Sequence, residues 1–234
     1  MVVGYAAGDE GTTTPDDIAE RNQHLLASLD AADFPGLSLQ LEDRAATDQW
    51  QRRTRPLAGR VAASLAVWAE DGDDASAITA LVGEWWPDHT VCVVTETVPR
   101  WRTDRAVDLR HPQPGVTVTS LLHRRTDMTH VEFTAHWRDV HQPMSLRIHP
   151  QHTYVRNLVT RAGAPDAHTF DAICEEGFAS IDDVLDPSRF FGADTSRPWQ
   201  DNARTIGDDV PRFLDTDHTV ATIMREYRLR EFRP

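Results

Sequence analysis

The chain predicts an α+β fold built from two consecutive βαββαβ units. Segments with apolar residues at alternate positions are interspersed with segments of helical period, and the same order of elements runs twice. A stretch rich in proline and charge, TDRAVDLRHPQPG, separates the two runs. The 234 residues, 40% apolar and 26% charged, suit two compact domains with a real core.

In the first half, Met1 to Ala7 is a short apolar strand. Pro15 to Leu29 follows as a helix with Ile18, Leu25, Leu26 and Leu29 on one side, opening on TTTPDD with proline in its first turn. Leu37 to Leu41 alternates as LSLQL, and Val61 to Trp68 (VAASLAVW) is a strand ended by the polar turn EDGDD. Asp74 to Trp85 is helical and His89 to Val98 (HTVCVVTETV) is strongly strand-like.

The second half begins near residue 110, so the units are residues 1–110 and 111–234. Val116 to His123 is its first strand and Thr129 to about Met144 its first helix. His152 to Thr160 and Phe170 to Phe178 are strands, a broken helical region runs from Ile181 to Leu214, and His218 to Leu229 ends the pattern. This order is the ferredoxin-like plan, an antiparallel four-stranded sheet with helices on one face. The bare face of each sheet must be covered, and two such sheets laid face to face enclose a barrel with room for a ligand. One chain with two units forms it as a pseudo-dimeric monomer, and otherwise a homodimer does.

The formal net charge of -13 repels phosphate backbones and anionic lipid heads, which argues against nucleic acid and membrane partners. No apolar run approaches the roughly 20 residues of a bilayer span, and MVVGYAAGDEG has no basic flank before an apolar stretch. A cytoplasmic location is expected. Cys92 and Cys174 lie far apart inside apolar runs, as buried small hydrophobes do. Every basic side chain apart from histidine is arginine, so lysine Schiff-base chemistry is excluded.

Within GVTVTSLLHRRTDMTHVEFTAHWRDVHQPM and HPQHTYVRNLV, the residues Glu132, Phe133, Trp137, Arg138, His141, Pro143, Tyr154 and Asn157 form a recognisable set. The pattern of "EF" opening a helix, tryptophan and arginine before His-x-Pro, then a Tyr-x-x-Asn strand resembles the EthD family of dimeric α+β barrel proteins. The resemblance covers roughly Gly115 to Arg230. It implies a superfamily whose barrels host polyketide cyclases, dehydratases, small lactone isomerases and haem-handling oxidases. The first half departs from the pattern, with no His-x-Pro and no aromatic pair in its first helix.

Thr129 and Glu132 fit a capping box that fixes where the helix starts. At 100° per residue Phe133, Trp137, Val140 and Met144 fall within about 60° of one another as the buried stripe. His136 and His141 flank that stripe about 140° apart, which rules out one shared metal ion at helical i, i+4 spacing. Pro143 should end or kink the helix and let His141 swing toward the barrel mouth, where a neutral imidazole serves as a general base. Alternation on the second strand puts His152, Tyr154 and Arg156 on one face and Asn157 on the other. On the third strand either Glu175 or Glu176 can line a cavity, with a raised pKa if buried. Arg138 points away from the stripe toward a surface partner, Glu132 or Asp139. The segment Asp186 to Trp199, DPSRFFGADTSRPW, is a candidate lid. Tryptophans such as Trp68, Trp101 and Trp199 sit where a pocket rim or an interface would use them.

The expectation is therefore an enzyme that binds a small hydrophobic, oxygenated, cyclic metabolite without a bound cofactor or metal. His141 and Tyr154 are the expected catalytic residues, and Trp137, His136, His152, Asn157, Glu175 and Met144 the substrate contacts. Dehydration, cyclisation or isomerisation would suit them. A non-catalytic accessory protein that holds a metabolite for an oxidase is the rival, and haem binding through a second-half histidine is a third reading that rests on the resemblance.

Overall fold

In a computed structural model, eight antiparallel strands close into one barrel. It describes residues 2–7, 24, 27–28, 34, 36–52, 59–68, 75–86, 89–101, 111–162 and 170–230. The strands are β1 (Val2–Ala7), β2 (Gly36–Glu42), β3 (Val61–Trp68), β4 (His89–Arg100), β5 (Val116–Leu122), β6 (Thr153–Ala162), β7 (Ala172–Phe178) and β8 (Val220–Arg230). Around the barrel they run β1-β3-β2-β8-β5-β7-β6-β4, and β4 returns to pair with β1. In each half the spatial order is fourth, first, third, second strand. The two halves do not lie face to face as the sequence predicts. They join edge to edge, β2 on β8 and β4 on β6, because this satisfies the backbone groups that two stacked sheets would leave open at four edges. The predicted helix Pro15 to Leu29 lies almost wholly outside the described residues, and so does the boundary at residue 110.

Alternation sorts the side chains into an inner and an outer set. The outer set is apolar and covered by helices. Leu39, Leu65, Val67 and Val91 pack under Ile78 and Val82 of helix α2 (Ala75–Trp85). Val118, Ile223 and Ala221 meet Ala46 of α1 (Arg44–Gln51) and Val184 and Leu185 of α5 (Asp182–Leu185). The sequence reading has no helix at α1. Its RAATDQWQ carries little apolar pattern, and it is held instead by Asp43, which accepts from Ala46 N at one oxygen and from Arg225 Nε at the other.

The helix predicted from Thr129 runs in three parts: α3 (His130–His136), a π-helical turn (Trp137–His141) and α4 (Gln142–Ile148). The capping box is present in full, Thr129 Oγ1 accepting from Glu132 N and Glu132 accepting from Thr129 N. Pro143 neither ends nor breaks the helix. It lacks an N–H to donate, and the wider turn just before it, in which Gln142 N donates to Trp137 O, absorbs the irregularity. The extra residue in that turn delays the downstream faces by one position. Val140, expected in the buried stripe, is 42% exposed, while Ser145 and Ile148 are buried where Met144 was expected. Phe133, Trp137, Tyr154 and Phe213 form the core beneath this helix, each contributing about 2–3 kcal/mol by burial.

No helix among the described residues is long and apolar enough to cross a membrane. Gly115 enters β5 at φ +94°, and a Cβ there would collide with the carbonyl oxygen of Phe178. Gly115→Ala is therefore expected to lose at least about 1–3 kcal/mol from the backbone alone, read as a lower urea midpoint with unchanged slope.

Candidate active site

The inner set of side chains forms three storeys. At one end Val94, Phe170, Ile173 and Met224 plug the barrel with apolar atoms. Above them sits a polar belt, and above the belt a cavity of about 480 Å³ opens toward the other end. Such a volume suits a ligand of a few fused rings.

Glu175 of β7 is the centre of the belt. Gln40 Nε2 donates to its Oε2 at 2.9 Å, and Asn157 Nδ2 donates to its Oε1 at 3.3 Å. Thr119 Oγ1 in turn donates to Gln40 Oε1, which fixes the orientation of that amide. Glu175 keeps some accessible surface, but that surface faces the cavity and not bulk water. Burial therefore dominates, with the carboxylates of Glu226 and Glu96 adding to it, and together they push Glu175 up to about 8 against the opposing pull of Gln40 and Arg228. At neutral pH this side chain is mainly a neutral acid with a carboxylate within reach.

Two further carboxylates share the cavity. Glu96 of β4 accepts from Trp68 Nε1 at 3.4 Å, and burial raises its pKa. Glu226 of β8 accepts from Arg228 Nε at 2.9 Å, and the guanidinium of Arg228 stacks 4.4 Å from the ring centroid of Trp101 at the mouth. Among the described residues, Asn157 Oδ1 next to Glu175 and Thr153 Oγ1 on the cavity wall are buried without a hydrogen-bond partner. Unsatisfied polar atoms of this kind cost stability in an empty site and are met by a polar ligand or water.

The structure brings together some of the residues expected from the sequence and separates the others. Glu175 and His152 line the cavity, and Asn157 reaches it through Glu175. Tyr154 lies on the other face of β6, fully buried, accepting from Trp137 Nε1 at 2.9 Å beneath the helix. Burial holds its phenol far above the usual range, so this pair is a neutral core contact and not a catalytic group on the cavity. His141 and His136 do not look into the barrel. Both turn to one carboxylate of α7 (Trp199–Asp209): His141 Nδ1 lies 2.9 Å from Asp209 Oδ2 and His136 Nε2 lies 2.9 Å from Asp209 Oδ1, with Phe213 against both rings. The π turn is the reason, since it carries His141 inward under the helix instead of to the barrel mouth. Burial alone would raise Asp209, but the two imidazole hydrogen bonds outweigh it and lower its pKa. Met144 is half-buried on the helix and does not line the cavity. Arg138 pairs with its neighbour Asp139 on the surface, and Glu176 accepts from Ser145 Oγ on the outer face.

The expected lid is a pinned segment. In Asp186 to Trp199, α6 (Pro187–Phe190) presses Phe190 on Phe178 and His149, and Asn202 Nδ2 donates to the carbonyls of Phe191 and Asp194. None of these residues lines the cavity. Among the described residues no group of three or more His, Cys, Asp or Glu side chains is placed to hold a metal ion. Gln40, Glu96, Glu226 and Arg228 were missed by sequence reasoning. For Gln40, Glu226 and Arg228 the signal was a polar residue at alternate positions in LSLQL and REYRL, which on an ordinary sheet marks the solvent face, whereas Glu96 shares its face with Val94 and Val98 and gave none.

The EthD domain model matches residues 125–217. No curated protein matches the chain. A solved structure described as an anthrone oxidase-like protein superposes with a TM-score of 0.58 at 10% identity, covering 99% of this chain and 94% of that one. A proposed monooxygenase from Lactobacillus acidophilus NCFM gives a TM-score of 0.48 at 9% identity over 98% and 95% of the two chains. Another from Fusobacterium nucleatum gives 0.48 at 9% identity over 98% and 91%. At these identities the likeness is one of fold.

Two stability measurements separate the cavity from the histidine cluster. Unfolded chain releases the Glu175 proton near 4.5 and folded chain near 8, so in between the folded state holds more protons. Stability then falls as pH rises through that window. The urea midpoint should drop further between about pH 5 and 8 in the native protein than in Glu175→Gln, and equal drops would mean that Glu175 is already ionised. Asp209 has the opposite sign. Its depressed pKa contributes stability that is present above the ordinary 3.8 and lost as pH falls through the lower folded value. Asp209→Asn should cost about 1–3 kcal/mol at neutral pH and less in acid, with the same urea titration as readout.

Proposed function

We propose, from the premise that residues 125–217 form an EthD domain, that this protein is a small-molecule enzyme in which Glu175 moves a proton to and from a hydrophobic, oxygenated ligand held in the barrel. The observation that carries this reading is a carboxyl group deep in an open-mouthed cavity with its pKa pushed up to about 8. A group that titrates close to the working pH both gives and takes protons readily. Perturbed carboxyls of this kind in a cleft concentrate at functional sites. His152, half-buried at the mouth, is the histidine of the cavity lining and the residue through which a haem iron would be held if one binds.

The halves read as two ferredoxin-like units, residues 1–110 and 111–234, fused so that one chain closes the barrel by itself. The repeated strand order supports this, as does the supply of cavity side chains from both halves. Isomerisation, dehydration or cyclisation need only the proton transfers that Glu175 provides. The name of the anthrone oxidase-like neighbour suggests anthrone, a rigid tricyclic ketone, as a first probe.

Purified protein and Glu175→Gln would be incubated with a panel of tricyclic and bicyclic aromatic ketones, anthrone included, in air and under nitrogen, with products followed by chromatography. A loss of turnover of at least about 100-fold in Glu175→Gln, with ligand binding retained, is the expected result. Turnover in the native protein should bend near pH 8. Conversion only in air marks an oxidase, and conversion under nitrogen marks an isomerase or lyase. Binding with no conversion by either protein would favour the accessory reading, and a Soret band on adding haem would favour the haem reading.

A further inference from the structure

Arg228 stands apart from the other arginines of the cavity region. Its side chain is only 12% exposed, and its Nε bond to Glu226 leaves four guanidinium N–H groups without a partner among the described residues. Those N–H groups are not among the buried unsatisfied atoms, so they are open to the cavity that Arg228 lines. The stack on Trp101 holds the guanidinium plane in place from one side, as the ion pair with Glu226 holds it from another. The same charge is felt at Glu175 across the belt. A fixed set of donors facing a cavity with apolar walls, beside an acid/base group, is how a developing oxyanion is stabilised.

Which oxyanion follows from charge. Glu226 already neutralises Arg228, and Glu96 and Glu175 lie close by. A ligand entering as a localised carboxylate would meet three acidic groups against two guanidiniums, that of Arg228 paired with Glu226 and that of Arg230 donating to Phe34 O. A ligand entering neutral, with a hydroxyl or carbonyl on an sp2 carbon, avoids that cost and spreads its charge over a ring once it ionises. The apolar and aromatic lining, with Trp68, Val98 and Val155, takes the ring.

We infer that Arg228 is the oxyanion-holding residue of this cavity and that the ligand belongs to the class of phenols and enolisable aromatic ketones. The inference rests on the proton-transfer reading above and adds the substrate class to it. In the step implied, the Glu175 carboxylate takes the proton from the carbon next to the carbonyl or, in a fused-ring ketone such as anthrone, from the ring carbon conjugated with it. The C–H electron pair forms the C=C bond of the enolate, and the carbonyl π pair moves to the oxygen facing Arg228. Reprotonation by the Glu175 acid on that oxygen, or at the far carbon of an enolate conjugated with a further C=C bond, completes an isomerisation with atoms and electrons balanced.

The test uses 2-naphthol, whose neutral and ionised forms have distinct absorbance and fluorescence, so no natural substrate is needed. Bound to the native protein at neutral pH, it should ionise about tenfold or more above its free fraction, a shift of one pKa unit or more. Arg228→Met should bind naphthol in its neutral form, Arg228→Lys should keep part of the shift, and Glu175→Gln should keep most of it. Circular dichroism checks that each variant is folded, and if Arg228→Met fails to fold, the native protein and Arg228→Lys still decide the matter. Naphthol that stays neutral when bound to the native protein, that ionises equally without Arg228, or that does not bind at millimolar concentration would overturn the assignment. Full turnover in Glu175→Gln with the naphthol shift intact would instead remove the proton-transfer reading and leave the oxyanion site standing.

Discussion

The edge pairings of β2 with β8 and of β4 with β6 are what the rest of the molecule depends on. They turn two four-stranded sheets into one closed wall, and closure gives alternate residues of every strand an inside to face. An eight-stranded barrel has an interior that side chains nearly fill, with room for one small ligand. Here the apolar plug fills one end and the cavity occupies the other. Were the halves to part, Gln40 and Glu96 would lose Glu175 and Asn157, and the polar belt would face water as two unremarkable sheet surfaces.

Two carboxylates show how the enclosure sorts chemistry. Glu175 accepts two amide hydrogen bonds that favour its charged form, yet burial and the neighbouring acids win and keep its proton on. Asp209 is at least as well covered by area, but it accepts from two imidazoles, and these keep it charged. The difference lies in depth as well as in partners, since Glu175 sits deep among other acids and Asp209 lies closer to the surface. Amide dipoles do not offset the loss of water, whereas groups able to carry a positive charge do. Hence the barrel holds a carboxyl group that keeps its proton near neutral pH, while the outer helix holds a brace that ties the π turn to α7.

Much of the fold was legible because period is a local property. Val61 to Trp68 reads as a strand from its own residues and is one, and the capping box at Thr129 and Glu132 forms as its sequence implies. The candidate site was less legible because its defining relation is not local. Period two says that Tyr154 and Asn157 face opposite ways, but it does not say which way is in. A barrel with a polar belt reverses the usual cue, so LSLQL looks like a strand with Ser38 and Gln40 toward solvent when both are buried inside. His141 was misplaced for a related reason. A single extra residue in a helical turn moves a side chain by roughly 100°, and nothing in WRDVH announces that turn.

The residues that carry the EthD resemblance sit mainly on the wall, and the residues that carry the chemistry sit inside it. Phe133, Trp137 and Tyr154 dock the helix on the outer face of β6 and β7, which fixes the strand that delivers Glu175, and His141 ties the helix to Asp209 of α7. The inner side chains come from both halves: Gln40, Trp68, Glu96 and Trp101 from the first, and His152, Glu175, Glu226 and Arg228 from the second. Two identical halves would have to place the same side chains on both walls. A carboxylate such as Glu175 would then face its own copy, and the repulsion would push both further from ionisation. Because the halves differ, the acid on one wall faces an amide and an indole on the other, and a guanidinium has room to lie between them. The difference between the two sets of inner side chains is what makes the site asymmetric, and the lack of a His-x-Pro helix over the first four strands leaves their part in the cavity intact.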